Sequence, residues 1–144
     1  MKQTSIYRAK GNWYILPSSL TTEGVWIACD PVSIISEDAD PIRIGELILE
    51  ALSKSKEGEP HPLFPFESRS SIRKAVGVRS WNELEKTTQL VTVTLDGDNR
   101  ATITPWKRAE VGCIPLTEKE TVISGKLSST TLAREVAIVL KCCA

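Results

Sequence analysis

The residues able to do chemistry are few: one histidine, His61, four cysteines, Cys29, Cys113, Cys142 and Cys143, and three groups of carboxylates. A thiol–imidazole nucleophile pair would have to use His61, which stands between Pro60 and Pro62 with no cysteine near it along the chain. Structural zinc needs ligands paired at short spacing, and there is no Cys-x-x-Cys and no second histidine. A phosphate-cradling loop is missing too, because the glycines are scattered and Gly11, Gly77 and Gly97 fit two turns and a helix stop. The pattern predicts no catalytic group, no metal and no cofactor, and free thiols rather than disulfides.

What remains is binding chemistry. Carboxylates gather at Glu37-Asp38-Ala39-Asp40, at Glu57 and Glu59, and at Asp96 and Asp98. A helix first turn and solvated turns account for most of them, and together they can also imitate phosphates before a basic partner. Four tryptophans, Trp13, Trp26, Trp81 and Trp106, outnumber the two phenylalanines, and in a small domain such rings fill the core. Trp106 differs, because it precedes Lys107 and Arg108 just after Pro105, where an exposed ring beside positive charge is expected.

The elements that must position these residues belong to a chain of 144 residues, 41% hydrophobic, a size that suits a single domain. Lysine and arginine (18) balance aspartate and glutamate (18), so no global positive field gathers phosphates and a dedicated nucleic-acid binder is disfavoured. No apolar run reaches the roughly 18 residues of a membrane span, and Met1 to Ser5 leads into no apolar signal core. The expectation is a soluble, cytoplasmic protein.

Slid against itself at a constant offset of 88, the chain lays residues 2–52 over 90–140 with seven identities, among them Thr4/Thr92, Ile15/Ile103, Pro17/Pro105 and Leu52/Leu140. Element types line up as well. In the first copy Thr4 to Arg8 and Trp13 to Leu16 flank a Lys10-Gly11-Asn12 turn, and Val25 to Cys29 and Val32 to Ser36 are β-rich. In the second, Leu90 to Leu95 turns through Asp96-Gly97-Asp98-Asn99 into Ala101 to Pro105, followed by Cys113 to Leu116 and Thr121 to Ser124. Each set ends in a helix. Asp40 caps the first, Pro41 starts it, and Ile44, Leu47, Ile48, Ala51 and Leu52 form its apolar stripe. The second, from Ser128, carries Leu132, Val136, Val139, Leu140 and Cys143, and Ala137 and Ile138 make it apolar nearly all round, predicting the more buried helix. The fold class is α+β, a single domain of two pseudo-duplicated strand-strand-strand-strand-helix units with helices packed on sheet faces.

Residues 53–89 have no counterpart and form a helical insert. Ser53 to Glu59 is polar, and the prolines of Pro60-His61-Pro62-Leu63-Phe64-Pro65-Phe66 exclude helix and central strand, leaving a stiff loop. Ser68 to Val76 reads as a short helix stopped by Gly77, and Ser80-Trp81-Asn82-Glu83 has capping-box spacing for another helix to about Thr87.

Several stretches resemble bacterial contact-dependent growth inhibition immunity proteins: Pro17-Ser18-Ser19, Thr21-Thr22, Gly24 to Cys29 with Pro31-Val32, His61-Pro62, Ala75 to Trp81, and Ile103-Thr104-Pro105. The resemblance implies a non-enzymatic cytoplasmic antidote whose partner is the C-terminal toxin domain of a delivered effector, commonly a nuclease, which it blocks by binding. It carries no catalytic residues. The doubled element order is also similar to the Whirly fold, whose members bind single-stranded nucleic acid; that alternative function is opposed by the neutral charge and the lack of a basic aromatic stripe. The unrepeated loop, with Glu57, Glu59, His61, Phe64, Phe66 and Glu67, is the expected toxin-binding surface, with Asp96, Asp98 and Trp106 as secondary candidates. An insert is not required by the repeated core, prolines lower its ordering entropy, and aromatics anchor interfaces.

Overall fold

Lys10 and Gly11 both adopt positive φ, 54° and 76°, the mirror-image turn that matches strand twist in a two-residue hairpin. They join β1 (Lys2–Ala9) to β2 (Asn12–Leu20), the first hairpin of an eight-stranded antiparallel sheet. A computed structural model describes residues 1–61, 71–97, 100–108, 113–125 and 127–142. Its path along the sheet is β3-β2-β1-β5-β6-β7, with β3 (Trp26–Ala28), β5 (Gln89–Leu95), β6 (Ala101–Arg108) and β7 (Cys113–Pro115). Off that path, β4 (Ser33–Ser36) pairs with β2 and β8 (Thr121–Ile123) with β6. The two halves meet where β1 and β5 pair antiparallel, from Lys2 opposite Leu95 to Arg8 opposite Gln89. The class is α+β, as the sequence predicts.

Two strands run past their expected ends, and both contain a proline. β2 continues through Pro17 to Leu20 instead of stopping at Leu16, and β6 continues through Pro105 to Arg108. The neighbours explain it. Along β2, β4 has ended at Ile15 and β3 begins at Ser18; along β6, β8 has ended at Ile103 and β7 begins at Trp106. Each proline falls in the gap between two partners, where no neighbouring strand asks for its missing N–H. Each carbonyl is still used: Cys29 N–H donates to Pro17 and Leu116 N–H to Pro105, both at 2.8 Å.

Helix α1 (Pro41–Lys54) begins as predicted, with Asp40 Oδ1 accepting from Ile42 N–H at 2.9 Å and Pro41 in the first turn. α4 (Ser129–Cys142) is capped by Ser128, whose Oγ accepts from Thr131 N–H at 3.2 Å. The two helices pack on one face of the sheet. Their Ile44, Ile48, Leu52, Leu132, Val136 and Leu140 close over Ile6, Trp13, Ile15, Val91, Val93 and Ile103, each large aliphatic side chain contributing roughly 1.5–3 kcal/mol. α4 is the more covered helix, as expected, with three exposed positions among its described residues against seven on α1, although Ile138, 49% exposed, still faces away from the sheet and α1. Cys143 lies outside the described residues.

On the opposite face, Tyr7, Ala9, Tyr14 and Leu16 are covered by Ile72, Val76 and Leu84 of the insert, from α2 (Ile72–Val76) and α3 (Trp81–Thr87). Gly77 ends α2 in the left-handed conformation at φ 89°, as predicted. Ser71 is not helical, so α2 starts later than a helix running unbroken from Ser68; residues 68–70 lie outside the described set. Ser80 Oγ caps Glu83 N–H at 3.1 Å, whereas the Glu83 carboxylate reaches back one residue further than a capping box requires, to Arg79 N–H at 3.0 Å. No helix among the described residues is long and apolar enough to cross a membrane.

Candidate protein-binding surface

After α1 the chain is fastened along the end of β2. Ser55, 4% exposed, accepts from Gln3 N–H at 3.0 Å and donates to the Ser18 carbonyl at 2.5 Å, tying the helix exit to both strands of the hairpin. Lys56 O accepts from Leu20 N–H at 2.8 Å, Leu20 O accepts from Glu59 N–H at 3.1 Å, and Glu59 O accepts from Thr22 N–H at 2.9 Å. A polar stretch without strand propensity is thereby held like a short parallel strand beside Thr21.

His61 docks at the end of this seam. Its Nδ1 lies 3.0 Å from Thr21 Oγ1 and its Nε2 lies 3.1 Å from Glu23 Oε2. Thr21 Oγ1 already accepts from Glu23 N–H at 3.3 Å and Val25 N–H at 3.2 Å, so its own proton goes to Nδ1. That assigns the ring hydrogen to Nε2, facing the carboxylate. Hydroxyl, imidazole and carboxylate in this order have the roles of a nucleophilic triad. Thr21, however, is 4% exposed and its oxygen is fully engaged, so no substrate carbonyl reaches it. The arrangement is a clasp that fixes the loop entrance.

The structure brings four of the sequence-predicted site residues to one end of the sheet. Glu57 Oε1 is 2.8 Å from the Met1 amino group, both more than half exposed, a pair worth little to stability. Glu59 and His61 follow on the seam, and Asp96 leaves β5 beside Lys2, since Leu95 pairs with that residue. Asp96 Oδ1 also accepts from Arg100 N–H at 3.3 Å across the β5–β6 turn. The surface is not uniformly acidic, for Lys2 Nζ reaches the Ser55 carbonyl at 3.3 Å and Lys56 is exposed nearby.

Trp106 is elsewhere. It pairs with Leu90 at the opposite end of β5 and β6, is half-buried, and donates its Nε1–H to Thr92 Oγ1 at 2.9 Å. With Tyr7, Glu85, Lys86 and Cys113 it lines a hollow of about 310 Å³. Phe64, Phe66, Glu67 and Asp98 lie outside the described residues. Ser55, Thr21 and Glu23 do most to shape this surface, and none was expected from the sequence as a site residue, because a serine or threonine acquires such a role only from what folds against it.

No family model and no curated protein matches the chain. Its fold is nevertheless shared by solved structures. A protein of unknown function from Neisseria meningitidis is similar with a TM-score of 0.76 at 15% identity, covering 99% of this chain and 95% of that one. A chain of a CdiA-CT/CdiI toxin and immunity complex from Yersinia pseudotuberculosis is similar with a TM-score of 0.73 at 18% identity, covering 99% and 97%. At these identities the likeness is one of fold.

Proposed function

We propose that this chain is a cytoplasmic immunity protein that binds and neutralises the toxin domain of a contact-dependent growth inhibition effector. The observation that carries the reading is the end-to-end likeness to a chain of a toxin and immunity complex, covering nearly all of both chains. The stretches resembling immunity proteins support it independently, because they are spread from Pro17 to Pro105. In this reading the protein acts by binding alone, and the toxin is a nuclease whose active site or substrate path is occluded.

The toxin-facing surface in this proposal is the seam and loop of Glu57, Glu59, His61, Phe64, Phe66 and Glu67, with Asp96 and Asp98 as secondary contacts, whereas Trp106, at the opposite end of β5 and β6, would make a separate one. Carboxylates at Glu57 and Glu59 would meet phosphate-gripping cations, which speeds encounter and sets register. The test is to express the chain with the toxin domain encoded beside it and measure protection and affinity, then replace Glu57, Glu59 and His61 together with alanine. Weaker binding at an unchanged melting temperature supports the surface; unchanged affinity in a stable variant moves it elsewhere. Failure of the wild-type chain to bind or protect, with salt-sensitive retention on single-stranded DNA, would replace the reading with a nucleic-acid one.

A further inference from the structure

Tyr7 of β1 pairs with Leu90 of β5, and Leu90 pairs with Trp106 of β6, so the three side chains stand in a row on the face of the sheet that carries the insert. Helix α3 covers this row only in part. Leu84 packs into the cluster that holds Tyr7, and the next two residues, Glu85 and Lys86, border the hollow of about 310 Å³ left beside Trp106. That volume falls at the small end of ligand sites, roughly 300–1,000 Å³. Whether it suits a ligand depends on which polar groups around it the fold has left unspent.

Several are committed to the protein itself. Trp106 Nε1–H goes to Thr92, Thr88 Oγ1 donates to the Leu84 carbonyl at 2.6 Å, and Gln89 Oε1 accepts from Arg8 at 3.2 Å. Tyr7 is different: it is 9% exposed, and its hydroxyl makes no hydrogen bond with a described residue. Burial above all holds the hydroxyl proton in place, and the charges that add to this are those of Cys113 and Glu85, which both border the hollow and so put the O–H on its side. The oxygen also keeps some access, because among the described residues Trp13 Nε1 is the buried side-chain polar atom that has neither access nor partner. Three charged side chains border the same space, half-buried Glu85 and exposed Lys86 and Lys107, and none is in an ion pair with a described residue.

We propose that this hollow binds a free α-amino acid with an apolar side chain, its carboxylate met by the Tyr7 hydroxyl and the Lys86 and Lys107 cations, its ammonium by Glu85, and its side chain by Leu90 and Trp106. A simple anion would face the Glu85 carboxylate and a simple cation would face two lysines, whereas a zwitterion answers both signs. A phenol already short of water and without a partner gains a hydrogen bond at little cost in hydration. The leucine and the indole ring supply the apolar wall that an aromatic or branched side chain needs. The site does not rest on the toxin-binding reading, and its test needs no toxin.

The test follows the Trp106 indole N–H signal of the ¹⁵N-labelled chain, assigned with Trp106→Phe. L-phenylalanine and L-leucine at millimolar concentration should shift this signal saturably. N-acetyl-L-phenylalanine and L-phenylalaninamide, which each keep one charge, should bind at least tenfold more weakly. Glu85→Gln, and Lys86→Gln combined with Lys107→Gln, should leave the melting temperature unchanged and weaken L-phenylalanine binding at least tenfold, and Tyr7→Phe, which keeps the ring, should weaken it as well. No saturable shift with either amino acid would overturn the site, as would equal affinity for a one-charge derivative or affinity that the charge variants leave undiminished.

Discussion

Gly45, in the middle of α1, packs directly on the backbone of Ser129 at the start of α4: a Cβ added at Gly45 would overlap the Ser129 carbonyl group and Cα. The glycine is helical, so its value here is the missing side chain. Gly45→Ala should gain about 1 kcal/mol of helix propensity and lose more to overpacking, because backbone cannot rotate away as a side chain does. The expected net is a loss of about 2 kcal/mol or more, read as a lower denaturant midpoint at constant slope. Alanine at exposed Ser53, on the same helix, should be near neutral.

Ser55→Ala should cost about 2–4 kcal/mol, since it leaves a buried amide of Gln3 and the Ser18 carbonyl without their partner. Hydrogen exchange at Leu20 and Thr22 should quicken as well, as their amides bond to the segment that Ser55 fastens. Loss of stability without faster exchange there would show that the seam holds on its own.

Burial, followed by the charges of Cys113 and Glu85, holds the Tyr7 hydroxyl well above the ordinary tyrosine range. A raised folded-state pKa means that the unfolded chain releases this proton first. Stability from this group is therefore complete below the unfolded pKa of about 10 and falls as pH rises beyond it. Unfolding midpoints measured from pH 9 to 11 should drop more steeply for the wild-type chain than for Tyr7→Phe. Equal slopes would mean that Tyr7 is not kept neutral by the fold.

Leu47→Asp places a carboxylate among the residues that join α1 to the sheet, where Leu47 is 8% exposed. The cost should be about 4 kcal/mol or more and should abolish soluble expression, while Leu47→Met should cost less than about 1.5 kcal/mol. Soluble, cooperatively folding Leu47→Asp protein would contradict the placement of this stripe.

The offset of 88 shows how far a linear pattern reaches. α1 starts at Pro41 and ends at Lys54, α4 starts at Ser129 and ends at Cys142, and 129 − 41 and 142 − 54 both equal 88. β2 and β6 keep the same offset: Trp13 faces Ile35 as Ala101 faces Ile123. β1 and β5 do not. Trp13 pairs with Arg8, whereas its counterpart Ala101 pairs with Leu95 where the offset calls for Asp96, so β5 stands one residue out of step. The identity of Thr4 and Thr92 is therefore not an equivalence of position; in structure Ser5 is the match for Thr92. A two-residue turn in one hairpin and a five-residue connection in the other absorb the slip, and identities cannot reveal it because period two lets a strand shift only at the cost of changing faces.

What the sequence alone determined are the features that act over a few residues: the Asp40 and Ser80 caps, the Pro41 start, the Lys10-Gly11 turn, the Gly77 stop and the apolar stripe of α1. Each is a competition between neighbouring backbone groups and one side chain, so its outcome is written in the local order of residue types. The tertiary structure alone decided that Pro17 and Pro105 lie inside strands, that Gly45 is where two helices touch, that Ile138 faces outward, and that Thr21, Glu23 and His61 close into a clasp. It also left Trp13 Nε1 without a partner. These depend on where distant strands end and which faces they cover, and that is set by long-range burial and pairing, whose energy no single segment carries by itself.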